Sequence, residues 1–311
     1  MTARGDRGLR LGILGRDAHA DALFALTRPD HLAPRGQAEV AAWWPGPAQA
    51  LPDGAAPASR GEAAAVLAAV DLVFLAGAAA RDPVLVAQVA ASGVEAVAFL
   101  PVAPPPAAAG GLRTTSELRA SLAGAHALAA LARGDVGRPL AVYHGVRAPG
   151  TAGDPGRVLR RVLWEALDLL LEVVGDAPSR VFYRASSLWG GDRDHLHLLL
   201  RFADGTIATL DLLELPPHGG EPDIDVEVTG SEGLLRLRPQ LHQVTVADHG
   251  REPVVRRVGW HPEPARLLLD HLLGAAPAAP ELAPAWSPRL GALVGTLEAR
   301  LATTPEGVFE P

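Results

Sequence analysis

The first residues whose types and spacing suggest chemistry are Gly15, Arg16, Asp17, Ala18 and His19, directly after the apolar run Leu9–Leu14. A buried strand, a tight turn and a helix opening at about Ala18 can seat a dinucleotide pyrophosphate on a helix N-terminus. The fingerprint for that task is G-x-G-x-x-G, and Gly15-Arg16-Asp17-Ala18-His19-Ala20 supplies only its first glycine. Asp17 brings a Cβ and a negative charge to the place where phosphate needs close backbone approach, and Arg16 offsets that charge. His19 reads either as a site residue or as a polar residue at a helix start. A second grouping is Arg161, Glu165 and Asp168, whose spacings put them on one helical face. Either they hold a ligand, with Glu165 as a base raised by an apolar setting, or Arg161 and Glu165 are an ordinary i,i+4 ion pair. His195 and His197 share one strand face, but a metal needs a third ligand, so no metal is expected. Ser187 lacks the G-x-S-x-G context of a hydrolase nucleophile.

Some chemistry is missing outright. The 311 residues contain no lysine, no asparagine and no cysteine. No lysine can move a proton or form a Schiff base, and arginine stays protonated and cannot replace it. Disulfides, thiolate metal sites and cysteine nucleophiles are excluded.

The elements that must position these residues follow from periodicity and turn signals. Strands are expected at Leu9–Leu14, Glu39–Trp44, Asp71–Gly77 and Val94–Leu100, with helices at Gly61–Ala69 and Asp82–Ser92, the latter capped by Gly93. Continuous apolar strands alternating with helices indicate parallel βαβ units. Pro45–Arg60 reads as a surface loop and Pro101–Gly111 as a linker. A helix from Thr114 to about Arg133 is expected, with Glu117 completing a capping box, then a strand at Leu140–Arg147 and a long helix from Asp154 to Val174 ended by Gly175. From Arg180 the texture becomes that of a mostly antiparallel sheet: Arg180–Ser186, His195–Phe202, Thr206–Glu214, Asp225–Gly230, Leu234–Leu237, Leu241–Ala247 and Val254–Val258. Helices at Glu263–Leu273 and Pro288–Leu301 close the chain.

Length favours two domains, expected at 1–112 and 113–311. The formal charge of −7 argues against nucleic acid as a partner. No apolar run reaches the length of a membrane span, and the N-terminus lacks an apolar signal region, so a cytoplasmic protein without membrane contact is expected.

Three further motifs carry a resemblance. Gly134-Asp-Val-Gly-Arg-Pro139 precedes a strand, Phe202-Ala-Asp-Gly-Thr-Ile-Ala-Thr-Leu210 forms a hairpin pattern, and Val228-Thr-Gly-Ser-Glu-Gly-Leu-Leu235 a strand turn. In this order the chain resembles the Gfo/Idh/MocA oxidoreductases. The resemblance implies an α/β protein: an N-terminal Rossmann-type parallel sheet domain plus a C-terminal α+β domain with a large open, mostly antiparallel sheet. It also implies NAD or NADP as cofactor, a sugar- or polyol-like substrate, and a homo-oligomer assembled through the C-terminal sheet.

Carried over position by position, the resemblance puts Gly15, Arg16, Asp17, Ala18, Trp44, Gly77 and Pro101 at the cofactor. Arg161, Asp168 and His144 fall at the substrate pocket, with Trp189, Trp260 and His261 as further candidates. The family's E-K-P motif falls on Phe99-Leu100-Pro101, so Leu100 occupies the proton-shuttling lysine position. Its D-x-x-x-H-x-x-D helix falls on Arg161, Glu165 and Asp168, so Glu165 replaces the histidine. The acid that reads a ribose after the second strand is replaced by Trp43-Trp44-Pro45. Glu165, His19 and the two tyrosines, Tyr143 and Tyr183, are then the remaining candidates for a base. Three readings stay open: an oxidoreductase with a non-standard base, a non-catalytic relative that binds a small-molecule ligand or a partner, and a protein that binds a nucleotide without redox work.

Overall fold

The computed structural model describes residues 8–28, 38–46, 62–105, 111–150, 157–189, 193–216, 222–248, 250, 252–258, 264–274 and 282–311. Most of the Pro45–Arg60 loop, Trp260 and His261 lie outside the described residues. The chain divides into two units: Met1–Ala120 with Pro262–Trp286, and Ser121–His261 with Ser287–Pro311. The expected boundary at 112/113 is therefore early. The second unit is also discontinuous, because one late segment returns to the first.

The first unit is a parallel α/β layer. In chain order it holds β1 (Leu9–Leu14), α1 (Ala18–Leu26), β2 (Ala38–Trp44), α2 (Ala63–Leu67), β3 (Leu72–Leu75), α3 (Gly77–Ala80), α4 (Pro83–Ser92), β4 (Glu95–Phe99) and β5 (Leu112–Thr115). The sheet order is β2-β1-β3-β4-β5, with every neighbour pair parallel. Every residue of β3 is buried, because helices cover both faces of a parallel sheet. Asp82 caps α4 through Val84 N and Leu85 N, and Gly93 ends it in the left-handed region.

One expectation fails here. Thr114 does not start a helix but lies in β5, paired with Ala98 of β4. Pro101–Gly111 therefore does not link two domains. It leads to a fifth strand of the same sheet. The helix begins later, as α5 (Leu122–Ala132), where Ser121 accepts from Gly124 N. α7 (Pro264–Leu272) completes the first unit by packing on α1. Its Ala265, Leu268 and Leu269 join Leu11, Leu23 and Trp43 in one buried cluster.

The second unit carries α5 and then β6 (Pro139–Pro149), α6 (Arg157–Val174), β7 (Pro178–Ser186), β8 (His195–Phe202) and β9 (Ile207–Leu215). There follow β10 (Asp223–Gly230), β11 (Gly233–Arg238), β12 (Gln243–Asp248), β13 (Val254–Arg257), α8 (Pro288–Thr303) and β14 (Glu306–Phe309). The nine strands run β13-β12-β11-β10-β6-β9-β8-β7-β14. Only β6 and β9 pair parallel. Burial alternates along these strands: in β8, Leu196, Leu198, Leu200 and Phe202 are buried while His197, Leu199 and Arg201 are exposed. That period of two means one face of the sheet is covered. α6 packs on β6, β9 and α8, and α5 on β11 and β12. Among the described residues, no helix is long and apolar enough to cross a membrane.

Candidate functional site

The sheet order of the first unit places a topological switch point between β1 and β3, where doubly wound folds bind ligands outside the carboxyl ends of the strands. The residues there are Gly15–Asp17 after β1 and Ala76–Gly77 after β3. The two turns lie against each other. Gly15 has φ +89°, and a Cβ on it would lie 2.2 Å from the Ala76 carbonyl oxygen. Gly77 has φ +54°, and its Cβ would lie 2.6 Å from the Arg16 carbonyl oxygen. Both positions need glycine for conformation and for space. Trp43 is buried and its Nε1 donates to the Gly15 carbonyl at 2.8 Å, while Gly15 N donates to the Trp44 carbonyl at 2.7 Å. The tryptophan pair thus braces the turn from β2.

Asp17 is the N-cap of α1. Its Oδ1 accepts from Ala20 N at 2.9 Å and its Oδ2 from Gly77 N at 2.8 Å. One carboxylate therefore binds backbone donors at the starts of both α1 and α3. A helix N-terminus attracts anions through its unpaired N–H groups and its dipole, and here the anion comes from the chain itself. Arg16 turns to Asp21, with Nε 3.0 Å from Oδ1. The residues present at this turn do not fit a dinucleotide pyrophosphate. Two of the donors hold Asp17, and a phosphate would meet its negative charge.

Around this crevice, the residue after β4 is the apolar Leu100. Leu100 is buried and its N–H donates to the Thr115 carbonyl at 2.8 Å; the Leu100–Pro101 peptide is cis. Its neighbour Phe99 stacks on His19, with ring centroids 4.0 Å apart and planes at 20°. His19 Nε2 lies 3.2 Å from Glu117 Oε1. His19 is thus part of a histidine–carboxylate pair on an aromatic face. Sequence reasoning missed Glu117 as a site residue, because Thr114 and Glu117 read as a capping box. No sequence signal marked the pair, because β5, the strand that Glu117 follows, itself read as a helix start.

In the second unit, Arg161, Glu165 and Asp168 do share a face of α6. Arg161 Nε lies 3.8 Å from Glu165 Oε1, and Glu165 and Asp168 are buried. His144, expected at a substrate pocket, is instead 2% exposed and hydrogen-bonded to the Ala166 backbone. Burial lowers its pKa to about 4, outweighing that bond and the Asp225 charge. It is a neutral core histidine between β6 and α6. Trp189 is exposed, and its N–H donates to Asp194 Oδ2 at 2.8 Å. His195 places Nδ1 3.0 Å from Ser186 Oγ and Nε2 2.6 Å from Asp211 Oδ1, so both ring nitrogens are engaged. Among the described residues no group of three potential ligands could hold a metal.

No family model matches the sequence, and no curated protein matches it. Solved structures do match the fold. An NAD-binding oxidoreductase from Klebsiella pneumoniae aligns with a TM-score of 0.70 at 16% identity, covering 98% of this chain and 99% of its own. UDP-N-acetylglucosamine 3-dehydrogenase from Acidithiobacillus ferrooxidans aligns at 0.69 and 15%, covering 95% and 97%. An oxidoreductase from Agrobacterium radiobacter, solved with NAD+, L-tartaric acid and magnesium, aligns at 0.65 and 17%, covering 97% and 98%. These neighbours are of the Gfo/Idh/MocA type, and the α/β architecture expected from the sequence motifs is the one they share. At this identity the likeness speaks for the fold.

Proposed function

We propose that this chain is a non-catalytic relative of the NAD-dependent dehydrogenases whose fold it shares, acting as a ligand- or partner-binding subunit. One observation carries the reading: the Asp17 carboxylate holds Ala20 N and Gly77 N where a pyrophosphate would have to bind. Charge-assisted hydrogen bonds contribute about 1.5–3 kcal/mol each, and the phosphate would replace two of them. It would also face a like charge, at about 1–4 kcal/mol for contact distances between water-like and surface-like dielectrics. A penalty of about 4 kcal/mol moves a micromolar dissociation constant to the millimolar range. The buried Leu100 supports the same reading, because the family's proton shuttle has no ionisable group at that position.

We infer that the partners of such a subunit include a second copy of itself. The uncovered face of the nine-stranded sheet exposes Tyr143, Phe182 and Leu199, which suits assembly of a homo-oligomer through that face.

A second reading is favoured by the His19–Glu117 pair. In it the protein remains an NAD- or NADP-dependent oxidoreductase of a sugar- or polyol-like substrate, with His19 as the base oriented by Glu117. Titration of the purified protein with NADH and NADPH, followed by nicotinamide fluorescence and thermal shift, tests the first reading. It predicts no saturation up to about 1 mM, whereas a low-micromolar dissociation constant would overturn it and revive the second, which then needs turnover that His19→Ala abolishes.

A further inference from the structure

The uncovered face of the nine-stranded sheet carries a connected chain of three side chains, far in sequence from the switch-point crevice. Ser186 ends β7, His195 opens β8 opposite it, and Asp211 lies on β9 across from His197. Ser186 Oγ lies 3.0 Å from His195 Nδ1, and His195 Nε2 lies 2.6 Å from Asp211 Oδ1. His197 Nδ1 lies 3.6 Å from the same carboxylate oxygen. Strand alternation puts these residues on the face that the helices leave open.

The order of the three fixes the protons. A carboxylate only accepts, so neutral His195 carries its proton on Nε2, toward Asp211. Nδ1 is then left as an acceptor, and the Ser186 hydroxyl donates to it. A hydroxyl donating to an imidazole that a carboxylate orients is the arrangement that activates serine as a nucleophile, and it is recognised by geometry and not by sequence position. The chain is open to solvent, with the His195 side chain 23% exposed and that of Asp211 40%. It lies four residues along β7 and β8 from Phe182 and Leu199, about 13 Å from the exposed apolar patch. Arg184 precedes Ser186 by two residues on the same face of β7, about 7 Å along the strand and within reach of an arginine side chain. Its ion pair with Glu306, at 4.0 Å between exposed side chains, leaves guanidinium N–H groups for a substrate oxygen.

We propose that Ser186, His195 and Asp211 form a hydrolytic site for small esters, independent of any redox chemistry. Ser186 Oγ attacks the acyl carbon while its proton passes to His195 Nδ1. The acyl C–O bond then breaks, and the leaving alcohol takes that proton. Water adds to the acyl-serine in the same way, which releases the carboxylic acid and restores Ser186. Asp211 is a positioning residue acting through His195, and Arg184 polarises the carbonyl. An ester suits the site better than an amide, because an alkoxide leaves more readily than an amine and one exposed cation stabilises the developing charge less than a buried pair of backbone donors. The site lies wholly within the second unit and does not depend on whether a dinucleotide binds the first.

The test combines hydrolysis of p-nitrophenyl acetate by the full chain with fluorophosphonate labelling mapped by mass spectrometry. The variants are Ser186→Ala, His195→Gln and Asp211→Asn. A fluorophosphonate reports an activated serine as a stable adduct, independently of turnover. One adduct, on Ser186, is expected in the wild type and none in His195→Gln. Ser186→Ala and His195→Gln are each expected to lower kcat/KM at least about 100-fold. Asp211→Asn is expected to lower kcat at least about tenfold with KM unchanged. Hydrolysis by surface histidines acting alone would survive Ser186→Ala, and that result overturns the inference. It is equally overturned if Ser186 takes no label, or if Asp211→Asn leaves kcat unchanged.

Discussion

The switch-point crevice of the first unit and the α6-covered core of the second accommodate a polar side chain in opposite ways. In the crevice, two helix N-termini attract an anion, and Asp17 supplies it from within the chain. In the core of the second unit, burial keeps His144 uncharged, with its pKa lowered to about 4. The crevice is closed by backbone contact as well, with Gly15 against Ala76 and Gly77 against Arg16. The lesson is that backbone donors at a crevice can be taken up by the chain's own carboxylate, whereas a histidine packed under a helix takes the neutral form.

The largest effect that would break this comparison is steric. Gly15→Val is expected to destabilise the first unit by about 3 kcal/mol or more, since both the positive φ and the 2.2 Å approach to Ala76 forbid a side chain. Gly175→Ala provides the contrast: it also has positive φ, but nothing lies within 4 Å of its Cβ. Conformation alone then costs it about 1 kcal/mol. Chemical denaturation followed by circular dichroism measures both. Equal losses would mean that the turn contact is not tight.

Acid should separate the units next. Burial lowers the pKa of His144 in the folded state to about 4, from an ordinary 6.5. Between those values the unfolded state takes up a proton that the folded state refuses, so stability falls as pH drops from 6.5 toward 4. The loss is on the order of 3 kcal/mol and belongs to the second unit. Thermal melts at pH 7 and pH 5 should show about half of it, and His144→Phe should flatten the dependence. An unchanged pH dependence in that variant would place the acid sensitivity elsewhere.

The smallest effect concerns the brace on the turn. Trp43→Phe removes the Nε1 bond to the Gly15 carbonyl and is expected to cost about 1–3 kcal/mol, at the lower end if water reaches the carbonyl. Hydrogen exchange of the Gly15 and Gly77 amides should rise in this variant while exchange in β8 stays unchanged. Equal acceleration in both would mean a global effect.

Local signals were legible in the sequence. β1 and β8 fall where apolar runs and alternation put them, and Gly93 and Gly175 end their helices in the left-handed region. Leu112–Thr115 was not legible as a strand, because Thr114 and Glu117 carry the chemistry of a helix start and only pairing with Ala96–Phe99 decides otherwise. The return of α7 to the first unit was hidden for a related reason. An apolar face such as Ala265, Leu268 and Leu269 does not name the surface it will cover. At the site, the sequence exposed Asp17 as an intruder in the glycine turn. It could not expose the bond to Gly77 sixty residues on, because that contact exists only once β1 and β3 are neighbours. His144 looked like a pocket residue because strand alternation does not tell which face a helix will cover.

The most direct measurement is a side-by-side NADH titration of the wild-type protein and Asp17→Gly. Glycine keeps the N-cap conformation at a cost of a few tenths of a kcal/mol and frees both backbone donors. The account predicts no saturation for the wild type up to about 1 mM and a measurable dissociation constant, at least about tenfold lower, for Asp17→Gly. Low-micromolar binding by the wild type, left unchanged by the substitution, would contradict it.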